Sequence, residues 1–408
     1  MQRGGARNRA HRAWANRYNL KTDQFAFEFT IDPDVMKKFA DLMEVYYREF
    51  TKEWGIKKPS KLGRLKVCFY HDEDYYHQVS GAPGGVIGYF RFVQPMELNF
   101  FYDRLDPDFT VDVMFHETNH YLTTLIDPKF RYPIWVNESL AEYYGASNWD
   151  WDKKQMTIGG LQEGRLAVIQ DAIRNDEWQK LDTLIRLKHG EFNATHYAWG
   201  WSFVHWLMEN KETNKKFKEF YLGLARDKNL KREPVPPAMK EVPSDDVADY
   251  LLKCLGAKSV DELQEGWYAY VKTLKPSSGR GYYEAGRIAM YEDMPIKAQR
   301  YLKTALDMDF KGPQVYAELS RAQYRKHEYE DAAATMRTAI ALDPLNAELY
   351  LGLAKAVRFA ESEEAATKYN WLALEVAKAT SDPSEYAILV DLGPDYVTPK
   401  SASAGGGK

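Results

Sequence analysis

Residues 116–120 read His-Glu-Thr-Asn-His, and Asn137-Glu138 follows with 17 residues between His120 and Glu138. Few folds can use this pattern, because it asks for two helices held side by side. Four residues apart, His116 and His120 project from one face of a helix and can share a metal ion. Glu117 then stands beside the metal rather than on it, placed to take a proton from an activated water. A catalytic zinc wants three protein ligands and one open position. Two histidines are not enough, so the third ligand decides the kind of site.

The flanking residues support helices. Asp106-Pro107 reads as an N-cap followed by proline at the first helical position. Val111, Met114, Phe115, Leu122 and Leu125 recur near helical spacing, and Asp127-Pro128 stops the segment. Pro133 precedes a second helix, and Gly145 stands where its stop belongs.

Three arrangements of a third ligand can be compared with these residues. A metzincin needs Gly and His where this chain has Thr123 and Ile126, and the downstream Gly-Thr-x-Asp of an aspzincin is absent. Asn137-Glu138 supplies what remains. Residues 85–210 thus resemble the gluzincin, or peptidase MA-like, metallopeptidases, which include thermolysin-like and aminopeptidase-N-like enzymes. The spacer is one residue shorter than is usual in the aminopeptidase-like members, which implies a divergent branch. The resemblance implies one Zn2+ held by His116, His120 and Glu138, with Glu117 as general base. The implied fold class is α+β: a small mixed-sheet lobe plus a helical lobe.

Further roles follow from the resemblance. Glu142, one turn after Glu138, either orients a ligand histidine through its second nitrogen or is a solvated helix carboxylate. A donor for the developing oxyanion is expected from Asn193–Leu207, with Tyr197 first and His196 second. The alternative for this aromatic segment is a plain core helix. Gly84–Phe90 and Met96–Phe101 read as a hairpin. In the family, a strand just before the metal helix borders the cleft. Glu97, Leu98 and Asn99 are therefore the expected edge for an extended peptide, unless that strand is an ordinary buried one. Glu97 would be the carboxylate available to a substrate's amine if the enzyme were an aminopeptidase.

The last third of the chain repeats. Tyr282, Tyr316 and Tyr350 are spaced by 34 residues, as are Ala298, Ala332 and Ala366, and Ala305, Ala339 and Ala373. Thirty-four is the tetratricopeptide (TPR) period, and Ala339 to Pro344 resembles that repeat's ending. The small alanines allow paired helices to pack closely. An all-α superhelix is expected over 280–378, in copies 279–312, 313–346 and 347–380. It would bind a partner or substrate, or cap the catalytic domain.

Residues 23–275 are the expected catalytic domain. Strand-like Phe25–Ile31, helical Met36–Phe50 and strand-like Leu65–Tyr70 make its first lobe. Lys231–Asp246 holds four prolines and reads as a loop. Residues 1–22 carry five Arg and no acid, a basic arm, and 381–408 reads as a flexible tail. A net charge of −4 gives no electrostatic case for nucleic acid. No apolar run approaches 18 residues, so no transmembrane segment is predicted, and no secretory signal is visible. Two cysteines exclude a cysteine-based zinc site. The functional expectation is a zinc peptidase acting on peptides or proteins. The alternative is a non-catalytic TPR adaptor that retains a gluzincin-like metal-binding domain.

Overall fold

The computed structural model describes residues 11–59 and 62–380. The first ten residues of the basic arm and the whole 381–408 tail lie outside them. The described chain forms two units, one from His11 to Asp293 and one beginning at Met294.

The first unit opens with a mixed five-stranded sheet. Its strands are β1 (Tyr18–Lys21), β2 (Phe25–Phe29), β3 (Leu65–Tyr70), β4 (Gly88–Arg91) and β5 (Glu97–Phe101), in the order β1-β2-β3-β5-β4. The outer pairs are antiparallel, and β2–β3 and β3–β5 are parallel. Part of the basic arm is therefore structured: Tyr18–Lys21 pairs with β2, and Arg17 bonds Glu28 at 2.7 Å.

Phe25, Phe27 and Phe29 alternate into the core. Helix α1 (Pro33–Glu53) is capped by Asp32 and buries Met36, Phe39, Leu42, Met43, Tyr46 and Phe50, a stripe at helical spacing. Helix α2 (Glu73–Ser80) follows β3.

The metal-helix pair comes next. Helix α3 (Pro107–Thr124) begins where Asp106 accepts from the Phe109 amide, and α4 (Ile134–Gly145) starts after Pro133. The far side of α3 is fixed to α1. The Tyr46 ring lies 4.9 Å from that of Phe115, and Asn119 Nδ2 donates to Tyr46 Oη at 3.1 Å. Helix α4 is buried nearly all round, as an interior helix should be.

A short hairpin, β6 (Asn148–Asp150) and β7 (Gln155–Thr157), leads to α5 (Glu163–Arg174), α6 (Leu181–Arg186), α7 (Ala194–Glu209) and α8 (Asn214–Arg226). Helices α4 and α7 approach closely at Gly200, where any Cβ would overlap Ser139 Oγ. The segment expected to be a loop contains a second hairpin, β8 (Glu233–Val235) and β9 (Met239–Glu241). It is held from outside: Arg131 N donates to Lys240 O and Lys240 N to Lys129 O, both at 2.8 Å. Helices α9 (Ser244–Leu255), α10 (Val260–Thr273) and α11 (Gly279–Tyr291) complete the unit.

Helix α11 departs from the expected repeat boundary. The 34-residue period makes it the leading helix of the copy 279–312, yet it packs against α5 inside the first unit. Its own residues explain why. Arg287 pairs with Asp103 at 2.8 Å and Asp106 at 3.4 Å, and its guanidinium lies 3.6 Å from the Phe109 ring centroid. Arg280 reaches Asp106 at 3.4 Å and Glu284 at 2.8 Å. Glu284 in turn accepts from the Gly164 amide at 3.2 Å. These bonds tie α11 to the start of α3 and the start of α5.

The second unit is a helical-repeat region: α12 (Pro295–Asp307), α13 (Pro313–Arg325), α14 (Tyr329–Leu342), α15 (Ala347–Ala360) and α16 (Glu363–Thr380), each packed on the next. All six periodic alanines are fully buried. Tyr316 and Tyr350 are half-buried, and Val315 and Leu349, one residue earlier, take the inward positions. Among the described residues no helix is long and apolar enough to cross a membrane.

Candidate metal centre

Helix spacing brings His116 and His120 to one face of α3, and α4 delivers Glu138 opposite them. Their donor atoms form a nearly equilateral triangle. His116 Nε2 and His120 Nε2 are 3.3 Å apart, and each lies 3.4 Å from Glu138 Oε2. A tetrahedral zinc with bonds of roughly 2.0–2.1 Å has ligand-to-ligand edges of roughly 3.3–3.4 Å. The three residues therefore fit one such ion without rearrangement. Among the described residues they form the group of metal-capable side chains.

The electrostatics agree with a cation site. Burial would lower the His116 imidazole, but Glu138 and Glu142 more than offset it and push it up to about 10. Burial would raise Glu138, but the two histidines hold it well below the usual carboxylate range. Positive charge is favoured between these groups, whether a proton or a metal supplies it.

The outer nitrogens are also held. His116 Nδ1 lies 3.3 Å from Glu142 Oε1, so Glu142 is a buried partner of the histidine and not a solvated carboxylate. Burial would raise the Glu142 carboxyl, but Arg165 and His116 bring it down to about 2. His120 Nδ1 lies 3.1 Å from Asn137 Nδ2. Binding a metal through Nε2 leaves Nδ1 protonated, so Asn137 would then present its amide oxygen.

Glu117 is buried one residue along α3, under the edge strand. A Cβ built on Gly88 would come within 2.8 Å of Val113 Cγ1 and 3.1 Å of Glu117 Cγ, so β4 can lie this close only with glycine there. Burial raises the Glu117 carboxyl, against the charges of His116 and His120 that lower it.

Tyr197, from the first turn of α7, reaches the cluster. Its ring centroid is 6.2 Å from that of His116, and burial first, then the Glu138, Glu142 and Glu117 carboxylates, push its phenol up. His196 is held at the start of its own helix. Its Nδ1 accepts from the Asn193 amide at 3.1 Å and closes the cap of α7. The Asn193-x-x-His196 spacing could have signalled this.

The expected substrate edge is displaced by one strand. Leu98 and Asn99 are fully buried in β5, which lies between β3 and β4. The hairpin folds back so that β4, Gly88–Arg91, is the outer strand. Glu97 is not available to an amine: it pairs with Lys66 at 3.0 Å and Arg91 at 3.3 Å and accepts from Asn99 Nδ2.

Arg165 has no local sequence signal. It lies on α5 and grips Glu142 through Nε and Nη2 at 2.8 and 2.9 Å. No spacing rule links it to the motif.

A family model described as "Protein of unknown function (DUF1570)" matches residues 110–231, under half of the chain. The matched stretch contains every residue of the cluster, from His116 to Tyr197. A search of curated proteins gives no match. Among solved structures, "MamA RS-1 ArsTM double mutant" is 14% identical, with 54% of this chain and 97% of that chain covered and a TM-score of 0.28. A second is "YrrB: a TPR protein with an unusual peptide-binding site", 12% identical, covering 55% of this chain and 91% of that one at a TM-score of 0.27. Likenesses this distant carry no argument about the present chain.

Proposed function

We propose that the first unit is a zinc-dependent peptidase of gluzincin type and that the helical repeats engage a protein partner or substrate. The observation that carries the reading is the 3.3–3.4 Å triangle of His116, His120 and Glu138 with Glu117 buried beside it. When bound, zinc would supply Lewis acidity, acidifying a water and polarising a carbonyl.

The chain's own residues would do the rest. His116, His120 and Glu138 would hold the ion. The Glu117 carboxylate would accept the proton of the attacking water as its oxygen bonds the peptide carbon. The same proton would pass to the amide nitrogen as the C–N bond breaks, giving a carboxylic acid and an amine. The Tyr197 hydroxyl would donate to the developing oxyanion. The extended peptide would lie along the open side of β4. An adaptor without catalysis would have no use for Glu117, and its presence favours the enzyme over that alternative.

The test is cleavage of a peptide library by the purified chain, abolished by a chelator and restored by zinc. Tyr197→Phe should keep full zinc content and lower turnover roughly 10- to 1,000-fold. Unchanged turnover in that variant would remove Tyr197 from the reaction. A zinc-loaded chain that cleaves no member of the library would count against the peptidase reading.

A further inference from the structure

We propose that Arg165 is a positioning residue of the metal site, acting on the zinc ligand His116 through Glu142; the inference rests on the metal reading above. The two bonds from Nε and Nη2 to the separate oxygens of Glu142 form a planar fork. Glu142 Oε1 is shared: it accepts from Arg165 Nη2 at 2.9 Å and lies 3.3 Å from His116 Nδ1. Both partners are largely shielded from water, with side-chain exposures of 17% and 6%. The fork leaves Glu142 one orientation, and that orientation aims one oxygen at the imidazole. A metal-bound histidine takes its ring angle and tautomer from such a partner.

The same guanidinium touches the front of the site. Its central carbon lies 5.3 Å from the Tyr197 ring centroid. Thus α5 meets α4, through Glu142, and α7, through Tyr197, at one residue. Lysine could replace the charge but not the fork.

The direction of the effect separates positioning from bulk electrostatics. By charge alone, removing a cation near the site should tighten binding of a dication. Positioning requires the opposite. Zinc dissociation constants would be measured by chelator competition on the full chain, with folding checked by circular dichroism. The variants are Arg165→Met, Arg165→Lys, Glu142→Gln and the Glu142→Gln/Arg165→Met double.

Arg165→Met should weaken zinc about 10- to 100-fold, and Arg165→Lys should fall between it and the wild type. With Glu142 already Gln, adding Arg165→Met should change affinity less than roughly threefold, because its route to His116 is gone. Binding as tight as wild type or tighter in Arg165→Met would overturn the proposal, as would a further tenfold loss in the double variant. If Arg165→Met does not fold, the double variant, which lacks both buried charges, decides by comparison with Glu142→Gln. A wild-type chain that takes up no zinc would overturn the metal reading itself, before any variant is compared.

Discussion

Glu117→Gln is expected to leave zinc bound and to slow peptide hydrolysis roughly 100- to 10,000-fold. The amide keeps the size and hydrogen-bonding capacity of the carboxyl but cannot take a proton from water. Glu117 is not one of the three donors in the 3.3–3.4 Å triangle, so its loss should not release the ion. Its place under Gly88 is tight, and an isosteric change disturbs that contact least. The check is steady-state cleavage of a library-selected peptide, with zinc content measured on the same preparation. Cleavage at the wild-type rate would show that Glu117 is not the base.

Arg287→Met should destabilise the first unit by about 1–3 kcal/mol, the usual cost of removing one partner of a buried polar group, because Arg280 still reaches Asp106. Arg287 and Asp106 are 5% and 4% exposed, so water cannot replace the lost guanidinium. Asp103 loses its 2.8 Å bond at the same time. Because Asp106 also caps α3, the damage reaches the helix that carries His116 and His120. Tryptophan fluorescence during urea unfolding would follow this unit, since every tryptophan except Trp371 lies within it. Adding Asp103→Asn should recover part of the loss by removing the carboxylate that Arg287 had paired. A loss under about 1 kcal/mol in Arg287→Met would mean that α11 is held by apolar packing instead.

The site was legible in the sequence wherever helical geometry alone determined it. Four residues from His116 to His120, and four from Glu138 to Glu142, fix a shared face whatever the rest of the chain does. The hairpin before α3 was legible too, but not which strand lies outside. That depends on the parallel pairing of β5 with β3, a contact between distant segments with no local signature. Asn99 hinted at it only in retrospect: it is polar yet fully buried, bonded to Tyr70 on the neighbouring strand. Arg165 was hidden for a similar reason, since a partner 23 residues away on another helix follows no period.

The periodic alanines of the last third fell in the core as their spacing requires. The period misplaced α11 because length was matched while chemistry was not. Arg280, Glu284 and Arg287 are charges at helical spacing, and they suit an acidic helix start better than an alanine seam.

The peptidase reading and the role of Arg165 both depend on the metal. Elemental analysis of the purified, zinc-reconstituted chain should give one zinc per molecule. The same chain with His116, His120 and Glu138 all replaced by Ala should give none. Zinc absent from the wild type, or equally present in the triple variant, would contradict the account.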